Sequence, residues 1–210
     1  MARTILTRDI ALTHPKRGSR SNKRIFIATE GFHSEKKYLK ALGDIIKTNI
    51  EVIIISRQAP DSGLSAPQYV LQTILDKKSI IDFRSGDDFW IIIDTDRWDI
   101  EAILPLCSDN NVSVIVSNPC FEIWILFHYL RKNQINTIQA FPNCDSVISA
   151  IKEFDDHFGK TRPVTKRTFN GLKKAIWFAK ELDIDTNSAV PENPCSRMYK
   201  LIEELQSDSE

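Results

Sequence analysis

A chain of 210 residues, 42% apolar and 27% charged, has an ordinary globular composition and can build one sizeable core or a core with a small appended unit. It holds no apolar run of about 18 residues or more, which excludes a transmembrane helix. Its first residues lack the apolar stretch and cleavage site of a secretory leader, so a cytoplasmic protein without a membrane partner is expected.

Residues 1–22 lack apolar periodicity and read as a basic N-terminal arm. Residues 24–29 (RIFIAT) suit a strand buried on both faces. Ser34 can cap a following helix with Tyr38, Leu39, Leu42, Ile45 and Ile46 at helical spacing. Residues 51–56 (EVIIIS) form a second buried strand. Ser65 to Gln68 has the spacing of a capping box, opening a helix through Val70, Leu71, Ile74, Leu75 and Ile81. Residues 89–93 (FWIII) form a third strand ending at Asp94-Thr95-Asp96, and Asp99 caps a helix through Ile100, Ile103, Leu104 and Cys107. Residues 112–116 are a fourth strand, and Pro119 fits the first turn of the next helix. The run from Asn118 to His128 is almost wholly apolar, implying a helix buried all round. The last third reads as helices near 142–158, 168–183 and 194–206, the last capped by Asn193. The rhythm predicts an α/β core over 23–130, a parallel four-stranded sheet flanked by helices, with a C-terminal helical appendage over 131–210.

In open parallel sheets ligands bind outside the carboxyl ends of the strands. Glu30 follows the first strand, and Asp94 and Asp96 end the third; two apart, they share one face of an extended strand. Carboxylates are hard ligands suited to Mg²⁺ or Mn²⁺, and three like charges meeting there would repel without a cation. Solvated strand-end carboxylates are the plainer reading of either motif alone. Gly31 permits a tight turn or a close backbone approach. Glu122, one turn into the apolar helix, could ligate through water, orient a ligand, act as a base or bridge to a basic side chain. His128 does not share its helix face and fits a satisfied core or rim histidine better than a catalytic one. No Walker A, GxGxxG or GxSxG motif occurs, which argues against an intrinsic P-loop NTPase, a Rossmann dehydrogenase and the common hydrolase elbow. The cysteines Cys107, Cys120, Cys144 and Cys195 include no CxxC pair and are expected as reduced core thiols.

A net charge of zero conceals segregation. Residues 1–24 carry seven bases against Asp9, and residues 160–180 carry seven with no acid, leaving 14 bases and 27 acids elsewhere. This is the footprint of a polyanion partner, with solvated basic stretches as the alternative. Arg24, Lys160, Arg162, Lys166, Arg167 and Lys173 are the candidate contacts to a nucleic-acid backbone.

Residues 24–31 (RIFIATEG), then 94–96 (DTD), then 117–124 (SNPCFEIW), with Asn193-Pro194-Cys195-Ser196 before a final helix, resemble RloB-like proteins. The SNPCFEIW block, holding Asn118 and Glu122, is the most specific part. The resemblance implies a Toprim-like fold in which Glu30 and the Asp94–Asp96 pair bind Mg²⁺ for phosphoryl transfer on RNA or DNA. It also implies a link to restriction loci and abortive-infection defence, often beside a separate ATPase. A metal-dependent nuclease is thus the leading expectation. The alternatives are a binding module that switches an ATPase and another Mg²⁺-dependent transfer enzyme. Strand passage is not expected, since none of Tyr38, Tyr69, Tyr129 and Tyr199 can be assigned as a topoisomerase nucleophile.

Overall fold

Runs of Ile, Val and Phe make the four central strands: β2 (Arg24–Thr29), β3 (Glu51–Ile54), β4 (Asp88–Asp94) and β5 (Ser113–Asn118). The computed structural model that shows them describes residues 9–13, 23–31, 33–55, 66–82, 84–95, 97–159, 164–165 and 167–207. The four strands pair in parallel, β3 with β2, β2 with β4 and β4 with β5. The chain is α/β, but the sheet is six-stranded and mixed rather than four parallel strands alone. Short antiparallel strands β1 (Ile10–Ala11) and β6 (Cys195–Ser196) close its two edges.

Side chains alternate between the two faces at the two-residue period of a strand. Ile25, Ile27, Val52, Ile54, Ile92 and Ile115 belong to one buried cluster; Phe26, Ala28, Phe89, Ile91, Ile93 and Val116 belong to the other. The second face is covered by α2 (Pro67–Ile80) and α3 (Leu104–Asp109), through Val70, Leu71, Ile74 and Cys107. The first face meets α1 (Ser34–Gly43), α4 (Glu122–Phe127), α5 (Cys144–Phe154), α6 (Leu172–Leu182) and α7 (Met198–Ser207). The C-terminal helices therefore share a single core with the sheet. All residues of α4 are buried, as its apolar run implied, and Phe127 stacks on Phe178 of α6 with centroids 5.4 Å apart. Burying a side chain such as Phe178 stabilises by about 1.5–3 kcal/mol. No helix among the described residues is long and apolar enough to cross a membrane.

Several expected boundaries shift for local reasons. Ser34 does not cap α1, because its hydroxyl is used on Glu122. The helix ends at Gly43; Ile45 lies in the turn that follows and Ile46 just after it, both still partly buried. Ser65 and Ser56 lie outside the described residues, and α2 opens with Pro67 in its first turn without a side-chain cap. Asp99 accepts from the Glu101 N–H at 3.1 Å, but regular helix begins only at Leu104. Likewise α4 opens at Glu122, three residues after Pro119. A 3-10 stretch (Lys132–Ala140) precedes α5, and another (Thr168–Gly171) leads into α6. Asn193 does not cap α7, since β6 intervenes; its amide instead donates to the Leu182 carbonyl at the end of α6 at 3.1 Å.

Strand order positions the site. From β2 the chain goes to β3 on one side and then crosses to β4 on the other. The switch point therefore lies between β2 and β4, where ligands of such sheets bind at the carboxyl ends.

Candidate functional site

Both chain segments that flank the switch point end in carboxylates. The Glu30 N–H prolongs the β2–β4 ladder by donating to the Ile92 carbonyl at 2.9 Å. This register brings the Glu30 carboxylate to the end of β4, where Oε2 accepts from the Asp94 N–H at 3.0 Å. Oε1 accepts from the Trp98 indole N–H at 2.9 Å. Glu30 is only 8% exposed. The Gly31 N–H then donates to Oε1 of Glu35 at 2.7 Å, and a Cβ at Gly31 would collide with that carboxylate. A side chain at Gly31 would force that carboxylate, the end of a flexible side chain, to swing aside. The Ser34 hydroxyl donates to Oε1 of Glu122 at 2.8 Å, joining the first turn of α1 to the first residue of α4.

Four acidic side chains, Glu30, Glu35, Asp94 and Glu122, are thus gathered where β2, β4, α1 and α4 meet. Burial, reinforced by Glu122 and Glu30, pushes the Glu35 carboxyl up to about 7. Burial, with the charges of Glu35, Glu30 and Glu122, holds the Asp94 carboxyl well above the usual carboxylate range. Desolvation and like-charge repulsion both oppose ionisation, so the cluster retains protons unless a cation compensates. Three buried polar side-chain atoms among the described residues lack a hydrogen-bond partner: the indole nitrogens of Trp90 and Trp124, and Oδ1 of Asp94. An orphaned carboxylate oxygen in an all-oxygen donor set suits a hard divalent cation such as Mg²⁺. Among the described residues, no three His, Cys, Asp or Glu side chains are already arranged to hold a metal. Asp96 lies outside the described residues, and both Glu30 oxygens carry hydrogen bonds, so the donor chemistry fits while the described ligand set is incomplete.

The remaining sequence candidates separate. Asn118 braces the site: Oδ1 accepts from the Thr95 hydroxyl at 3.2 Å, and its amide donates to the Pro191 carbonyl at 2.8 Å. Thr95 is further fixed by its N–H to the Ser117 carbonyl at 3.0 Å. His128 stands apart, buried and bonded to the Trp124 carbonyl and the Tyr38 hydroxyl. Arg24 opens β2 at the end opposite Glu30, about 20 Å away along the strand. There it makes a two-pronged contact with Asp87 at 2.8 and 2.5 Å and donates to the Asp82 carbonyl. Arg24 is therefore a structural pair remote from the site rather than a neighbour of it. Arg167 and Lys173 are exposed near and on α6; Lys160, Arg162 and Lys166 lie outside the described residues.

Glu35 and Trp98 are the site residues that sequence reasoning missed. Glu35 stands next to Lys36 and Lys37 and resembles a solvated position. Yet it lies three and four residues before Tyr38 and Leu39, on the stripe that α1 buries, and that spacing was the available signal.

The molecule is an α/β protein with a buried carboxylate cluster at the switch point of its sheet. It belongs to the RloB-like family: the family model for RloB-like proteins matches residues 25–205, a span that contains every one of these carboxylates. No match was found among curated proteins.

Proposed function

We propose that this RloB-like chain is a Mg²⁺- or Mn²⁺-dependent nuclease acting on RNA or DNA, with a Toprim-like core. The observation that carries the reading is the placement of Glu30 and Asp94 on either side of the switch point, with an unpartnered Asp94 oxygen between buried acids. Glu30, Asp94 and Asp96 would hold the cation, which supplies polarisation of a phosphoryl oxygen and steadies charge on the leaving oxygen. Trp98 and the Asp94 N–H fix the Glu30 carboxylate. Glu35, with its carboxyl near 7, is suited to accept the proton of an attacking water. Ser34 orients Glu122 at the cluster's edge. The family resemblance supports a role in antiviral, abortive-infection defence, with ATP use residing in a separate ATPase partner.

The incomplete described ligand set favours a second reading, a non-catalytic module that binds nucleic acid or a partner. One assay separates them. Purified protein is incubated with labelled tRNA, mixed RNA and plasmid DNA in Mg²⁺, Mn²⁺ or EDTA, beside an Asp94→Ala, Asp96→Ala variant. Metal-dependent cleavage lost in the variant is expected. Equal cleavage by both proteins, or none by either even with the ATPase and ATP, would overturn the nuclease reading.

A further inference from the structure

Away from the carboxylates, the chain that leaves α4 meets α6 in a cluster of cations. Arg131 and Lys132 are exposed at the start of the 3-10 stretch, and Lys173 and Lys174 lie in the first turn of α6. Contacts tie the two segments together. The Lys132 ammonium sits 4.4 Å from the centroid of the half-buried Trp177 ring, and Lys174 donates to the Tyr129 carbonyl at 3.2 Å. Burial, and after it the neighbouring Arg131 charge, holds the Lys174 ammonium below its ordinary range. Ion pairs among the described residues are made by Lys23, Arg24, Lys77, His157, Lys180 and Arg197, whereas these four cations form none. Asp155 faces the Tyr129 hydroxyl at 3.5 Å, and Glu203 pairs with Lys180. In a chain of zero net charge, four cations without an ion pair among the described residues, two of them held in place by an aromatic ring (Lys132) and a backbone carbonyl (Lys174), are a built feature.

We propose that Arg131, Lys132, Lys173 and Lys174, propped by Trp177, form a ridge that binds the phosphate backbone of a nucleic-acid strand whose continuation enters the carboxylate cluster. This rests on the nuclease reading for what happens at the cluster, but the ridge itself binds without metal. Position argues for one continuous strand. α4 runs from Glu122 in the cluster to Phe127, and a short turn carries the chain on to Arg131. The six residues of α4 at helical rise span about 8 Å, about two nucleotides of duplex rise. The ridge grips sugar and phosphate, so it sets register and affinity without reading bases.

The test is fluorescence anisotropy with labelled 20-nucleotide RNA and DNA, single-stranded and duplex, over a salt series in EDTA. Wild type is compared with an Arg131→Ala, Lys132→Ala, Lys173→Ala, Lys174→Ala variant and with Lys180→Ala, whose lysine is neutralised by Glu203. The fourfold variant is expected to bind at least about tenfold more weakly, with a salt slope shallower by about 3 on single strands; Lys180→Ala should match wild type. An Arg131→Glu, Lys132→Glu variant repeats the comparison if the fourfold variant melts abnormally. Wild-type affinity and slope in the ridge variants, or no binding by wild type, would overturn the ridge. Cleavage of the same labelled strands in Mg²⁺ is read separately. Loss of binding in the ridge variant without any wild-type cleavage, even with the ATPase and ATP, would sink the nuclease reading alone, and unchanged binding with metal-dependent cleavage would sink the ridge alone.

Discussion

His128 offers a prediction whose sign and size follow from its surroundings. The Trp124 carbonyl, 2.9 Å from Nδ1, can only accept, so the ring proton resides on Nδ1 and Nε2 accepts from the Tyr38 hydroxyl at 3.1 Å. Both ring nitrogens are thus satisfied in the neutral form. Burial, with a smaller contribution from the Lys174 charge, pulls the imidazole down from 6.5 to about 4. Between these values the unfolded chain binds a proton that the folded chain refuses, so stability falls as pH drops through this window. From about pH 7.5 to about pH 4.5 this loss amounts to about 2.5 kcal/mol. Glu35, raised to about 7, acts in the opposite sense: its contribution is full below about 4.5 and is lost as pH rises through 7. Comparing wild type with His128→Asn, whose amide can still donate to the Trp124 carbonyl, cancels Glu35 and every other shared titration. Urea unfolding of both proteins across the window should show the wild-type advantage shrinking by about 2.5 kcal/mol at the acid end. A difference that stays constant with pH would refute the assignment of a buried neutral imidazole.

Three further outcomes are expected. Asp183 and Arg197 form a buried ion pair at 2.9 Å; the guanidinium also donates to the carbonyls of Ser188 and Asp185, and Tyr199 donates to Asp183 at 2.8 Å. Asp183→Ala strands that guanidinium and should cost about 3–5 kcal/mol in thermal or urea unfolding, whereas a change below about 1 kcal/mol would contradict the pair's role. A Cβ at Gly171 would strike the His128 carbonyl, a backbone atom that cannot swing aside, so Gly171→Ala should destabilise by about 1–3 kcal/mol; an unchanged Tm would show that the close approach is wrong. Burial and the neighbouring acids hold the Asp94 carboxyl protonated without a cation, so Asp94→Asn, which has the shape of the neutral acid, should change stability in EDTA near neutral pH by less than about 1 kcal/mol; a loss of several kcal/mol would mean that Asp94 is ionised there.

The central strands were legible because strands buried on both faces write continuous apolar runs, and residues 24–29, 51–56, 89–93 and 112–116 do so. Glu30 and Asp94 were legible for a related reason: an acid at the end of such a run breaks the pattern at the place where ligands bind. The edge strands Ile10–Ala11 and Cys195–Ser196 were not, since two residues carry no period and their pairing depends on a distant partner. Arg24 illustrates a different limit. Its charge is visible in sequence, but its distance from Glu30 and its use on Asp87 are set by strand direction and by a residue 63 positions away. Glu35 stayed hidden because its lysine neighbours outweighed a spacing that places it on the buried stripe of α1.

The central claim is that the carboxylate cluster holds a divalent cation. Calorimetric titration of Mn²⁺ into metal-stripped protein tests it most directly, in two buffers of different ionisation enthalpy near pH 6.5, beside Asp94→Asn. Wild type should bind saturably and release protons, because Glu35 and Asp94 give theirs up when the cation arrives, and Asp94→Asn should lose that binding while staying folded. Identical titrations of the two proteins, or a heat independent of buffer, would contradict the account.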